Sequence, residues 1–446
     1  MATKQNGIHY AWIIMIGCCF MQAGSLGAIL DACGVFFVPI CDDMGFTRAE
    51  LSMYLTFYFI ATIVAMPIVG RMIMKYNINI LLSVMFALTA AAVFAMGFYN
   101  EPWQWWVSGV VFGLAGSFIF VIPTPILIGN WFHKRKGVAL GIAMSFSGIG
   151  GAIFSPIFTL LIQTFGWRTA YMMAGVIIAV CVLPWTMFVF KLHPSDKGML
   201  PYGYDPAKEE ETKKAAEEAQ SGVPAKKALK SFSFWMMFLF CGFAAYFAGF
   251  NSHLPGFAVS VGHSAMIGST LLTAVMVGNC VEKLLIGFLN DKFGVQFTVH
   301  IQLCMIICGL LLLMLGGSNL IILYLGAFLF GAQNSLYSVS NPLLIHQLFG
   351  DKEYPKIFTT ARIVTGIIGC LGPVTIAGIY DMTGSFIPTF AVGIGVAVAC
   401  GVVVILAEIF RKRLVWEDPD GAPMSFEKVK EMQLLKRKES KAEAAE

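Results

Sequence analysis

Met266-Ile-Gly-Ser-Thr-Leu-Leu-Thr-Ala-Val-Met-Val-Gly-Asn279-Cys-Val-Glu282-Lys283-Leu-Leu-Ile-Gly287-Phe-Leu-Asn-Asp291-Lys292-Phe-Gly294 decides the fold. It holds an apolar run, 266–289, long enough for a helix that crosses a bilayer core about 30 Å thick. Inside that run sit Glu282 and Lys283, and a Gly-rich charged turn from Gly287 to Gly294 is expected to end it. Lipid penalises such a lysine by about 2.5–3.5 kcal/mol on insertion scales, so an ionisable group there points to a functional site.

Working outward, eleven further apolar runs of similar kind occupy 10–38, 48–69, 78–98, 104–131, 137–162, 169–190, 232–254, 296–316, 319–347, 357–379 and 386–410. The chain of 446 residues is 57% hydrophobic and 13% charged, whereas soluble domains carry about 25% charged residues. These values exclude a soluble enzyme and predict an all-α polytopic membrane protein with twelve spans. The run from Tyr10 to Val38 is too long for a signal-peptide core and has no small-residue cleavage site before it. It reads as an uncleaved first span. The eleven cysteines form no CxxC or Cys/His set and read as small packing residues. No Walker pattern, hydrolase or kinase motif or metal-ligand set occurs, so ATP, a metal and any other cofactor are not expected.

Basic residues mark alternate loops: Arg71 and Lys75, His133-Lys134-Arg135-Lys136, Lys191 and Lys197, Lys292, Lys352 and Lys356, and Arg411-Lys412-Arg413. The opposite loops carry only Arg48 and Arg168, beside Asp42, Asp43, Glu50, Glu101 and Asp381. The positive-inside rule then places both termini in the cytoplasm of a plasma membrane, a bacterial inner membrane being expected. Residues 191–231 are polar and divide the spans six and six. The stretch Glu209 to Glu218 reads as a solvated helix of mixed charge. The expected organisation is a six-helix bundle over 1–190, a cytoplasmic linker over 191–231, a second bundle over 232–412 and a charged tail over 413–446, with no role for the tail beyond solubility.

The two halves share landmarks at one constant offset. Gly70 corresponds to Gly287, Pro125 to Pro342 and Pro156 to Pro373, while Gly166 falls one residue from register with Gly384. Matching span numbers favour duplication: two pseudo-symmetric six-helix halves with a site between them near the midplane. In this register Lys283 faces Met66 and Arg362 faces Ser145, so both buried cations belong to the second half and the site is expected to be electrostatically one-sided.

On these residues the chain resembles the major facilitator superfamily over about 10–412. Gly287, Asp291, Lys292 and Gly294 resemble that superfamily's loop signature, which implies a gating role. The first copy, at Gly70 and Arg71, has Met74 where Asp291 has its counterpart. Four stretches resemble the monocarboxylate transporter and oxalate:formate antiporter families more narrowly. They are Tyr10-Ala-Trp12 with Gly34-Val-Phe-Phe37; Asn130-Trp-Phe-His-Lys-Arg-Lys-Gly137-Val-Ala-Leu-Gly141; Gly166-Trp-Arg-Thr-Ala-Tyr171; and Gly372-Pro373 with Gly378-Ile-Tyr-Asp381-Met-Thr-Gly384. The resemblance implies transport of a small carboxylate by symport or antiport, with protons or a counter-anion as driving partner. Its acid and cation in span 8 stand four residues apart, and here those positions hold Asn279 and Lys283. It also implies a second cation in span 11, where Arg362 lies.

Lys283 is about 12 Å deep, eight residues of helix before Asp291. That depth strains the alternative of snorkelling to water. Pairing with Glu282 is awkward because adjacent helical residues diverge by about 100°. Lys283 therefore reads as the anchor for a carboxylate. For Arg362, close behind Lys356, snorkelling and substrate binding remain open. Asp31 lies late in span 1. An apolar setting would disfavour its ionised form, making it a candidate proton carrier, as is Glu282; the alternative for Asp31 is a helix-end acid reaching external water. Gln22, Tyr246, Asn251, Gln333, Asn334 and Tyr337 are candidates to orient the substrate, or else to bond neighbouring helices. Gly148, Gly150 and Gly151 read as close helix packing at a gate. His253 and His263 read as lipid-interface residues. A monomer in the bilayer that binds no nucleic acid is expected. Two other readings remain: an efflux transporter for amphipathic organic compounds, and a non-transporting receptor or scaffold using the 191–231 loop.

Overall fold

The computed structural model describes residues 9–120, 122–204, 221–418, 421–425 and 427–431; at helix positions 70, 74, 284, 287, 291, 355 and 362–364 only the backbone is described. The helices are α1 Tyr10–Met44, α2 Arg48–Lys75, α3 Ile78–Phe98, α4 Pro102–Trp131, α7 Phe232–Ser260, α8 Ala265–Phe293, α9 Val295–Gly316, α10 Leu320–Phe349, α11 Lys356–Thr383 and α12 Ile387–Arg411. Between α4 and α7 runs one apolar stretch, Lys136–Val189, which makes two crossings. Gly166 divides it into α5 and α6, because its φ of 78° and ψ of 160° interrupt the helix where a side chain would be strained. Helix is the expected state for every span, since lipid offers the backbone no hydrogen-bond partners. Caps set several of the ends. Thr47 accepts a hydrogen bond from Glu50 N at 3.2 Å, and the Glu50 carboxylate accepts one from Thr47 N at 2.9 Å, a capping box for α2.

The buried apolar residues form two clusters, one drawn from Ala11 to Phe190 and the other from Val223 to Val429. With twelve crossings, α1 begins and α12 ends on one face, called here the termini face. On the opposite face the halves meet. Arg48 lies 4.0 Å over the Tyr380 ring, and Ala49 N donates to Asp381 Oδ2 at 2.8 Å. Closer to mid-depth, Cys33 Sγ lies 3.7 Å from Ser252 Oγ, and Thr56 Oγ1 donates to Cys370 O at 2.8 Å. Between α5 and α8 the contacts run from Ser155 and Ser269 inward to Ser145 and Cys280. Nearer the termini face, Gly137 and Gly141 of α5 have no neighbouring atom where a side chain would project, and Val64 and Ile68 of α2 are exposed. The halves thus close on the face opposite the termini.

Several sequence expectations change. The first span continues to Met44 rather than stopping at 38, because the helix carries on through Pro39 to the glycine at 45. The segment from Gly287 is not a turn: α8 runs to Phe293, and only Gly294, with φ 91°, leaves the helix. His253 is not at the lipid interface. It is buried between the halves, its Nε2 lying 3.0 Å from Pro373 O and 3.4 Å from Ser52 Oγ. The start of the tail does more than solubilise: Trp416–Glu417 pairs with Pro423–Met424, and Trp416 is buried. Glu417 also exchanges backbone hydrogen bonds of 2.9 Å with Gly222 of the linker and binds Lys227 and Lys352 at 2.9 and 2.8 Å. The mixed-charge stretch at 209–218 lies outside the described residues.

Candidate functional site

A cavity of about 230 Å³ lies at mid-depth between the halves, lined from α1, α2 and α5 on one side and α7, α8, α10 and α11 on the other. Breaks in helical regularity build it. In α1 the backbone is π-helical from Ala23 to Asp31, and in α10 from Leu336 to Ser340. The wider turn re-aims the side chains that follow, and such segments are frequent at functional sites. They carry Leu26, Leu30 and Asp31, and Tyr337 and Ser338, onto the cavity wall. α7 is interrupted between Tyr246 and Ala248, next to the wall residues Ala248, Asn251 and Ser252.

The glycines of α5 let the site helices approach. A Cβ on Gly27 of α1 would lie 2.5 Å from Ser147 O of α5 and 2.8 Å from Gly151 N, so no larger residue fits. A Cβ on Gly151 would lie 3.0 Å from Asp31 Cβ, and one on Gly148 would lie 3.0 Å from Asn279 Nδ2. One turn of α5 therefore touches the two chemistry-bearing residues of α1 and α8.

Of the residues singled out from sequence, Lys283, Asn279, Asp31, Asn251, Gln333, Asn334 and Tyr337 all line this cavity. Lys283 and Asp31 lie within electrostatic reach of one another, but they form no ion pair. Neither has a hydrogen-bond or ion-pair partner among the described residues. Gln333 Nε2 donates to Asn251 Oδ1 at 3.2 Å. Asn279 Oδ1 and Asn334 Nδ2 are buried without a partner among the described residues. The expectation of a one-sided site is corrected: the cation comes from the second half, but Asp31 supplies an opposite charge from the first.

Other candidates lie elsewhere. Gln22 is buried within the first half, its Nε2 donating to Phe120 O at 2.9 Å and Thr124 Oγ1 at 2.8 Å, which ties α1 to α4. Tyr246 Oη is hydrogen-bonded to Thr375 Oγ1 at 3.0 Å and is off the cavity wall. Glu282 is buried away from the cavity, its carboxylate oxygens without a partner among the described residues. Its neighbour on the helix turns to a different face, as the 100° step requires. Arg71 and Lys292 are exposed near the termini face. The side chains of Arg362 and Asp291 lie outside the described residues, only the backbone is described at Gly287 and Gly70, and Gly294 forms the turn into α9. The sequence reading missed Tyr58, Ser147, Ser252 and Ser338 on the wall. Small hydroxyls and a tyrosine within apolar runs carry no charge signal, although Ser147 adjoins the Gly148 stripe.

Two six-helix halves around a mid-depth cavity, with broken helices in its wall, are the architecture of a known class of membrane transporter. The Major Facilitator Superfamily model matches residues 13–373, with a further match over 262–437, and the chain belongs to that superfamily. It is similar to monocarboxylate transporter 12 of Xenopus laevis, 22% identical over 92% of this chain and 93% of that protein. It is also similar to the probable transporter MCH2 of Saccharomyces cerevisiae, 23% identical over 83% of this chain and 65% of that protein. In fold it is similar to the crystal structure of the nucleoside transporter NupG, with a TM-score of 0.69, 13% identity and coverage of 90% of this chain and 99% of that one.

Proposed function

We propose that this chain is a secondary active transporter of small monocarboxylates that carries one proton with each anion. One observation carries the reading: a lysine and an aspartate, neither with a partner among the described residues, share one mid-depth cavity. With both ionised, the described residues of the cavity wall carry no net charge. A monocarboxylate binding at Lys283 adds one negative charge to a site where uncompensated charge is costly. A proton on Asp31 restores neutrality, so anion and proton move together. Asn334, on the same wall, has its Nδ2 buried without a partner among the described residues. Glu282 is the alternative proton acceptor, but it lies off the cavity wall and its charge would act only through the helix.

The volume supports a short acid. It falls below the about 300–1,000 Å³ of pockets that enclose drug-sized ligands, which disfavours efflux of large amphiphiles. The similarity to monocarboxylate transporter 12 supports the same substrate class. Exchange of two anions, as in the oxalate:formate antiporter resemblance, would call on Arg362 as a second cation. The loop charges support a plasma-membrane orientation with both termini cytoplasmic, and nothing in the reading requires more than a monomer.

The test is uptake of L-lactate by the purified chain in proteoliposomes. Lys283→Gln, matched for expression and elution from size exclusion, is expected to lose at least tenfold in uptake. Uptake at the unmodified rate would refute the anchor role.

A further inference from the structure

The unpaired groups on the cavity wall are of both hydrogen-bonding kinds. Lys283 Nζ and Asn334 Nδ2 are donors; the Asp31 carboxylate and Asn279 Oδ1 are acceptors. A simple monocarboxylate can only accept. It answers Lys283 and leaves the Asp31 carboxylate without a donor, which is the arrangement a bound proton must relieve. A molecule with a carboxylate at one end and an ammonium at the other answers Lys283 and Asp31 at once.

Charge balance leads to the same class. Asp31 and Lys283 come from opposite halves, α1 and α8, and no ion pair joins them. Both side chains line the same cavity. A dipole adds no net charge to the described wall and needs no proton. A Cβ on Gly151 would crowd Asp31 Cβ and one on Gly148 would crowd Asn279 Nδ2, so the acid and the amide both lie close against the same turn of α5. Among the described residues, the titratable or charged groups near Asp31 are Lys283 from α8, Cys33 from its own helix and Tyr58 from α2. The nearby walls of α5 and α2 present Ser147, Gly151, Tyr58 and Phe59, and the Arg362 side chain of α11 lies outside the described residues.

We infer that this cavity also takes dipolar carboxylates of the small amino-acid type, with the carboxylate on Lys283 and the ammonium on Asp31, and moves them without a coupled proton. The inference rests on the proposed reading of Lys283 as carboxylate anchor. Asp31 then decides the class of substrate: occupied by a proton it admits a monocarboxylate, and ionised it admits a dipole. The alternatives are exclusive at one carboxyl group, so the two classes compete for the transporter.

L-lactate and L-alanine share a skeleton and differ in a hydroxyl against an ammonium, which makes them the matched probes. Glycine and 4-aminobutanoate vary the separation of the charges. Uptake of each is measured with the full chain in proteoliposomes, with the membrane voltage clamped at zero, with and without an inward proton gradient. Lactate uptake is expected to rise with the gradient. At least one of the three amino acids is expected to enter at a gradient-independent rate and to inhibit lactate uptake. Asp31→Asn is expected to cut amino-acid uptake at least tenfold while lactate uptake continues and loses its gradient dependence, and Asp31→Glu is expected to retain both classes. Lactate uptake with no entry or inhibition by any of the three amino acids overturns the inference and leaves the monocarboxylate reading standing. Amino-acid uptake unchanged in Asp31→Asn also overturns it. Amino-acid uptake without lactate uptake refutes the monocarboxylate reading alone. If Asp31→Asn fails to fold, competition measured on the unmodified chain decides the matter.

Discussion

Gly27→Ala is a single-methyl test of how this site is assembled. Gly27 lies one turn before Asp31 on the same side of α1, and its missing side chain is what lets α1 rest on α5. The added Cβ would stand 2.5 Å from Ser147 O, 2.8 Å from Gly151 N and 2.9 Å from Gly150 Cα. All three are backbone atoms, so none can swing aside. Close carbon–oxygen contacts settle at about 3.3–3.6 Å, so α1 must retreat by about 1 Å. Overpacking of this kind costs about 1–3 kcal/mol, and the upper end applies where the neighbours are backbone. The retreat carries Asp31 off the cavity wall. Positioning errors of about 1 Å cost about a hundredfold where function depends on alignment, and lactate uptake is expected to fall by that order. Uptake per reconstituted molecule and thermal unfolding in detergent are measured together, with Gly395→Ala, where no atom lies within 4 Å, as the control. Unchanged stability and uptake in Gly27→Ala would show that α1 does not meet α5 as described.

Two further outcomes are expected. Ser252→Cys places a thiol where Ser252 Oγ now lies 3.7 Å from Cys33 Sγ. Mild oxidation is then expected to staple α1 to α7 and stop uptake, and dithiothreitol to restore it; an equal response in the unmodified chain would count against the staple. At the tail, hydrogen bonds from Lys352 and then Lys227 hold the Glu417 carboxyl below its ordinary range. A depressed carboxyl stabilises its contact above the unfolded pKa, about 4.3, and loses that contribution as pH falls through the lowered value. Amide protection at Gly222 and Glu417, corrected for intrinsic exchange, is expected to hold down to the ordinary glutamate range and fall below it. Glu417→Gln should show the loss already at neutral pH, and identical protection in the two proteins there would contradict the role of the charge.

Much of the architecture was legible in linear order because the bilayer imposes a local rule. About twenty apolar residues in a row must become a crossing helix whatever their neighbours, so spans, loops and the duplicated halves can be counted along the chain. Lys283 was legible for the same reason, since a charge in such a run stands out alone. Lateral placement followed no such rule. Nothing local separates Gln22, which bonds α4, from Asn251, which lines the cavity; both are single amides in apolar helices. Nor does the chain announce that Trp416 is buried and Glu417 tied to Gly222, because those partners lie far apart in sequence.

The sequence by itself determined the membrane class, the twelve crossings, the two-part plan and a buried cation that implies an anion, since each depends on composition or spacing within one segment. Only the tertiary structure decided that Asp31 lines the same cavity as Lys283. That meeting depends on a π-helical stretch in α1 and on glycines of α5 that admit α1 and α8 at close range. Contact between helices is set by which faces pack, a property of three segments together that no one of them carries.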